Sequence, residues 1–191
     1  MKQIVSLAVL VVVFGVGFLL ISDGDGDGDS SEGSNGGKPN ALAFYGVELE
    51  DFKLIVPADW IKDDESLTTL VKDGVAVRGE KEDGFHPAIL FYPVLARKRS
   101  FEQFIGDERS KLTDSGDPAE ILADGPAVVG GMAAHRLVYT RTVRGGIQVR
   151  TIDFYFVGPK GIGMLRMLSN STTFMKWRPV FERVASALRR K

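Results

Sequence analysis

A continuous apolar run near the N-terminus limits what this chain can fold into more than any other feature. From Ile4 to Ile21 every residue is apolar except Ser6, Gly15 and Gly17. At 1.5 Å per residue these 18 residues make a helix of about 27 Å, close to the roughly 30 Å of a bilayer's hydrocarbon core. A cleaved signal peptide usually has a shorter apolar region that ends in small residues. Here the run ends Phe18-Leu19-Leu20-Ile21, with only Gly15/Gly17 and Leu20/Ser22 as poor cleavage pairs. The reading preferred over a cleaved leader is an uncleaved transmembrane signal-anchor over residues 1–22. Lys2 precedes the span and Asp23, Asp25, Asp27 and Asp29 follow it. That asymmetry places the N-terminus in the cytoplasm and the rest of the chain outside, in the periplasm or extracellular space.

Residues 23–40 contain Asp, Gly, Ser, Glu and Asn, with Pro39 the sole apolar residue. Such a segment buries too little surface to offset its ordering entropy and is expected to act as an acidic, disordered linker with an r.m.s. reach of about 25 Å. Asp23, Asp25, Asp27 and Gly28 sit where a calcium loop has its first ligands and its glycine. Ser34 then stands where the bidentate Glu belongs, so the segment reads as a linker and not as a calcium site.

Residues 41–191 have the pattern of an α+β domain. Short apolar runs alternate with turn signals, the mark of a mostly antiparallel sheet. Strands are predicted over Phe44 to Leu49, Phe52 to Val56, Ser66 to Lys72, Val75 to Arg78, Ala88 to Leu95, Ala134 to Val143, Gln148 to Val157 and Ile162 to Leu168. Ser100 and Gln103 form a capping box that opens a helix with Phe101, Phe104, Ile105 and Leu112 on one face. A second helix is predicted from Thr172 to Leu188, kinked or restarted at Pro179. Both faces of the central strands are apolar, so a helix on each face, an α/β/α sandwich, follows.

Gly145-Gly146 reads as a two-residue hairpin loop. That register sets Leu137 against Phe154, Tyr139 against Ile152, His135 against Phe156, and Arg141 against Arg150. The turn at Gly158 to Gly161 sets Asp153 against Arg166, which makes Arg136, Asp153 and Arg166 a structural ion network. His135 is then a packed histidine, and His86, in a turn, exposed and unpaired. Arg141, Arg144 and Arg150 gather at one hairpin tip as a candidate surface for an acidic partner or lipid headgroups.

Several kinds of chemistry have no residues to support them. The chain has no cysteine and two histidines, separated too widely for a zinc pair. No Gly-x-Ser-x-Gly elbow occurs, and Gly158 to Gly163 lacks the spacing of a phosphate loop. Neither a catalytic set, a cofactor nor a metal is expected. Charge is segregated: residues 38–120 carry 11 basic and 17 acidic side chains, and residues 121–191 carry 12 and 3. The domain's net charge of +3 is too small to suggest nucleic acid.

Phe52 to Trp60, FKLIVPADW, is an amphipathic strand that runs into Pro-x-x-Trp. A Ser-Phe-Glu-x-Phe helix, the Gly130 to Leu137 lead-in to a long strand, the aromatic trio Phe154-Tyr155-Phe156 and the final Phe181-Glu182-Arg183-Val184 helix follow. Over about Ala43 to Leu188 this pattern resembles the PsbP-like superfamily, including DcrB-type bacterial lipoproteins and the photosystem II extrinsic subunit. The resemblance implies an α/β/α sandwich used as a non-enzymatic binding or assembly module. This chain lacks the lipidated cysteine of those lipoproteins, and its apolar span would take that role. The function expected is a membrane-tethered, extracytoplasmic protein-binding or envelope-assembly module. Alternatives are a carrier for a small apolar ligand or lipid, with a pocket near Trp60, Trp177 and Tyr139, and, less favoured, a hydrolase.

Overall fold

The computed structural model describes residues 43–62, 74–94, 99–114 and 116–191. The predicted span, the linker and the strand expected over Ser66 to Lys72 lie outside them. Among the described residues no helix is long and apolar enough to cross a membrane.

The described elements run β1 (Phe44–Glu48), β2 (Phe52–Pro57), β3 (Ile61–Lys62), β4 (Val75–Arg78), β5 (Ala88–Val94), α1 (Phe101–Thr113), β6 (Glu120–Val129), β7 (Met132–Thr142), β8 (Gln148–Gly158), β9 (Gly161–Asn170), α2 (Phe174–Ala187) and β10 (Arg189–Arg190). They form an α+β fold with antiparallel pairing throughout. The main sheet has seven strands in the order β3-β4-β5-β9-β8-β7-β6, and a smaller one has the order β1-β2-β10. α1 begins where the capping box predicts. Ser100 Oγ accepts from the Gln103 amide at 3.2 Å, and Gln103 Oε1 accepts from the Ser100 amide at 3.0 Å.

Each face of the main sheet has its own core. α1 buries Phe104 and Ile105 against Leu137, Tyr139, Tyr155, Ile162 and Met164. On the other face α2 buries Phe174, Trp177, Phe181 and Val184 against Phe154, Phe156, Leu165 and Met167. The small sheet shares that second core through Phe52, Leu54 and Val56. The simple helix–sheet–helix expectation therefore lacked a layer: α2 covers its face together with three further strands. Nor does Pro179 divide α2, which runs as one helix.

β6 is not among the predicted strands, and it contains Asp124-Gly125-Pro126, residue types depleted in strands. It is an edge strand, the place where a sheet tolerates proline. Gly130 and Gly131 form a two-residue loop with φ of +57° and +82°. Residues flanking such a loop make a hydrogen-bonded pair, so bonds to β7 fall on Val129, Ala127 and Gly125. Pro126 then turns its missing N–H outward and costs the ladder nothing. A bulge between Ile121 and Ala123 further blunts this edge against strand addition.

The first hairpin departs from the predicted register by one residue. Val143 and Ile147 close a three-residue loop, with the Val143 amide donating to the Ile147 carbonyl at 2.8 Å. Gly145 and Gly146 both have positive φ, but Arg144 is part of the loop. The pairs are Leu137 with Asp153, Tyr139 with Thr151, His135 with Tyr155 and Arg136 with Phe154. Because the side-chain period is two, this single step moves Leu137 and Tyr139 to the opposite face from the one expected. The second hairpin pairs as predicted, Asp153 with Arg166 and Phe154 with Leu165.

The β6–β7 turn holds the end of α2. A Cβ on Gly130 would meet the Leu188 carbonyl oxygen at 1.9 Å, whereas one on Gly131 would meet nothing within 4 Å. Both positions carry the positive-φ penalty of about 1–2 kcal/mol for a non-glycine residue. Gly131→Ala is expected to cost about that much, and Gly130→Ala at least about 3 kcal/mol because backbone must move. Urea unfolding of the two variants checks this. Equal losses would show that the Leu188 contact does not hold the turn.

Candidate functional site

The most concentrated polar chemistry lies beneath α1. Asp153 is fully buried at 0% exposure. Arg166 donates to it twice, Nε to Oδ1 and Nη2 to Oδ2, each at 2.7 Å. Tyr139 and Tyr155 donate their hydroxyls to Oδ2 at 3.2 and 3.0 Å. Four donors reach the carboxylate, three at Oδ2 and one at Oδ1. Burial, reinforced by the neighbouring Asp153 charge, pushes both tyrosine hydroxyls well above their usual range, so they stay protonated donors. Burial opposes the Arg166 charge, but the Asp153 carboxylate outweighs it and holds the guanidinium ionised. Tyr139 stands on β7, Asp153 and Tyr155 on β8 and Arg166 on β9, so this cluster ties the three strands together.

Arg136 is not in that network. It pairs with Phe154, on the α2 side of the sheet, and is exposed. The one-residue loop difference removes it and brings in Tyr139, whereas Tyr155 shares the Asp153 face of β8 in either register. Gly145 and Gly146, both at positive φ, suit a two-residue and a three-residue loop alike, so the sequence carries no local signal for that outcome.

His135 is half-buried on the α1 side and donates from Nε2 to Asp124 Oδ1 at 2.6 Å. Arg109 of α1 donates from Nε to Asp124 Oδ2 at 2.6 Å. Burial would raise the Asp124 carboxyl, but the bonds from His135 and Arg109 outweigh it and hold it below its ordinary value. This clamp fastens α1 to the sheet edge. His86 is also partnered, contrary to expectation: it is half-buried, with Nδ1 donating to the Gly79 carbonyl at 2.9 Å. Among the described residues no His, Asp or Glu cluster is placed to hold a metal.

The three hairpin arginines do not converge. Arg141 pairs with Val149 and lies on the α1 side, while Arg150 pairs with Thr140 and lies on the α2 side. The Arg150 guanidinium stands 5.1 Å over the Phe174 ring. Arg144 is at the exposed loop between them. The expected shared anion site at the tip is therefore not formed. Among the described residues the expected apolar pocket is not formed either: Trp60 and Trp177 pack edge-on at 5.3 Å, both buried, and Tyr139 is on the far side of the sheet. One cleft of about 50 Å³ lies between Glu50-Asp51 and Pro159-Lys160 above Phe52 and Phe91. That is well below the 300–1,000 Å³ typical of small-molecule sites.

The α2 side of the domain carries a surface the sequence did not localise. Arg136, Val138, Arg150 and Ile152 share that face of β7 and β8. Ile152 packs against the α2-side core, while half-buried Val138 joins none of the three apolar clusters. Exposed Arg178 follows Phe174, whose ring lies under Arg150, by one helical turn. From Phe174 to Lys191 the chain has six basic residues and one acid, Glu182, all exposed. Met175 adds an apolar side chain that is 62% exposed. The acids flanking this surface include Glu120, paired with Thr140 at the end of the strip, Glu82, which holds Lys176, Asp83, which accepts from Thr172 before α2, and Glu48, which meets Lys191.

No protein-family model matches the sequence, and no curated protein matches it. Solved structures do share its architecture. Cyanobacterial PsbP (CyanoP) from Synechocystis sp. PCC 6803 aligns with a TM-score of 0.56 and 15% identity, covering 84% of this chain and 98% of that one. The fold is PsbP-like. LpqN, described as involved in cell envelope biogenesis of Mycobacterium tuberculosis, aligns with a TM-score of 0.53 at 14% identity over 80% of this chain and 92% of its own. PA94 of Pseudomonas aeruginosa, a protein of unknown function, aligns at 0.54 and 10% over 75% of this chain and 94% of its own. What this chain shares with all three is the PsbP-like fold.

The network geometry sets a stability order. Asp153→Asn leaves a buried guanidinium uncompensated and is expected to cost about 3–5 kcal/mol. Tyr139→Phe removes one hydrogen bond, about 1 kcal/mol, and Arg136→Ala should stay within about 0.5 kcal/mol. Chemical unfolding of the three variants measures this; a loss at Arg136 matching that at Tyr139 would return Arg136 to the network.

Proposed function

We propose that this chain is a membrane-tethered, extracytoplasmic, non-enzymatic module that holds an acidic protein partner on the α2 side of its domain. The observation that carries the reading is the basic surface there. Exposed Arg136, Arg178 and Arg183 and half-buried Arg150 lie on one side, with Met175 as an exposed apolar anchor among them. Charged rims steer a partner and set orientation, and a central apolar side chain supplies contact energy. The apolar run Ile4 to Ile21 supports the tether and the outside location, and the description of LpqN agrees with a role at the cell envelope. A non-enzymatic role fits a carboxylate that is fully buried and held by four hydrogen bonds within the sheet.

A photo-crosslinking residue placed at Met175 in the full chain, expressed in a cell envelope, tests this. It should give a discrete adduct that Arg136→Glu with Arg150→Glu weakens severalfold. Val157, 66% exposed on the α1 side, is the control position and should give none. No adduct at Met175, or the same adduct at both positions, would defeat the reading.

A further inference from the structure

We infer that the occupant of the α2 ridge in the unengaged protein is the chain's own acidic segment, Asp23 to Glu32. This rests on the basic surface just described and names what covers it when no partner is present. The first observation is where the chain joins the domain. Phe44 opens β1, and the Arg183 guanidinium of α2 stands 4.2 Å over its ring. The polypeptide leading to Phe44 therefore arrives beside the outer ridge of α2, where Lys176, Arg178 and Arg183 are exposed.

Charge complementarity is the second observation. Asp23, Asp25, Asp27, Asp29 and Glu32 are five acids with no base among them. Of the ridge's own pairs, Arg178 with Glu182 is an exposed pair of about 0–1 kcal/mol that exchanges readily, while Lys176 meets Glu82, a half-buried carboxylate that also accepts from the Trp177 indole. Arg183 has the Phe44 ring and no carboxylate among the described residues. Reach is the third. From Asp29 to Ala43 the chain can extend about 45 Å, against a radius of gyration of about 15 Å for a domain of this size. A segment tethered this closely has an effective concentration in the millimolar range, enough to fill a weak electrostatic site.

Because the chain has no cysteine, Ser31→Cys with Met175→Cys allows a clean double spin label on the full chain in detergent. Pulsed dipolar spectroscopy is expected to show a short-distance population at low salt. That population should fall roughly threefold or more at high salt, where the Debye length contracts to about 3–4 Å. Neutralising the five acids to Asn and Gln should abolish it without touching the folded domain. Replacing them with Lys, together with Lys176→Glu, Arg178→Glu and Arg183→Glu, should restore it. A broad distribution unchanged by salt and by either substitution set would overturn the inference. So would loss of the short population in nanodiscs of anionic lipid, with the Met175 label at the lipid surface; the ridge's occupant would then be the membrane. Adducts at Met175 would survive that failure, and deleting residues 23–32 should raise their yield severalfold only if the segment competes for the ridge.

Discussion

The Asp153 carboxylate sets the arrangement of the rest of the domain. A buried ionised carboxylate is expensive unless its oxygens are met by donors, and here one guanidinium and two phenols meet them. Those donors come from β7, β8 and β9, so the network exists in only one register of three adjacent strands. Slide β7 by one residue and Tyr139 leaves the face, Asp153 loses a donor, and Leu137 moves from one core to the other. Apolar burial alone would discriminate poorly here, because both faces of these strands are apolar. The polar cluster thus gives the sheet a specificity that its hydrophobic pattern lacks.

That same ambiguity explains how much of the fold was legible. Local signals with their own geometry read correctly. Ser100 and Gln103 announced the start of α1, and the turn at Gly158 to Gly161 gave the right β8–β9 register. Gly145-Gly146 misled, because a two-residue and a three-residue loop both want glycine there, and with two apolar faces either register looks self-consistent. Pro126 hid β6, since proline excludes a central strand but not an edge, and edge position is a property of the whole sheet. The role of β1, β2 and β10 in covering the α2 face was invisible for a similar reason: it depends on contacts between residues far apart in the chain.

The candidate site divides along the same line. Asp153 and Arg166 were found because they sit in the hairpin with the well-specified turn. Tyr139 and the Arg109–Asp124–His135 clamp were missed because they depend on the register of the other hairpin and on β6, while Tyr155, two residues from Asp153 on the same face of β8, was within reach of the strand period alone. The charge segregation was plain in the sequence, but its assignment to a hairpin tip was not supported. Arg141 and Arg150 face opposite sides, and the basic residues that share a surface lie on α2 and the adjoining sheet strip.

On the proposed reading, the division between inside and outside has a mechanical consequence. The strongest internal charges are neutralised by one another, through Asp153 with Arg166 and Asp124 with Arg109. The exposed bases of α2 remain available and are screened over about 8 Å at physiological ionic strength. Such a surface cannot hold a freely diffusing partner tightly by charge alone, because exposed pairs contribute little each. Tethering changes the arithmetic by raising local concentration, for an envelope partner as well as for the chain's own acids. A partner that prevails over those acids must therefore bring something they lack. Residues 23–32 contain no apolar side chain, so the discriminating contact is with Met175, and selectivity lies in an apolar group set among arginines more than in the number of charges.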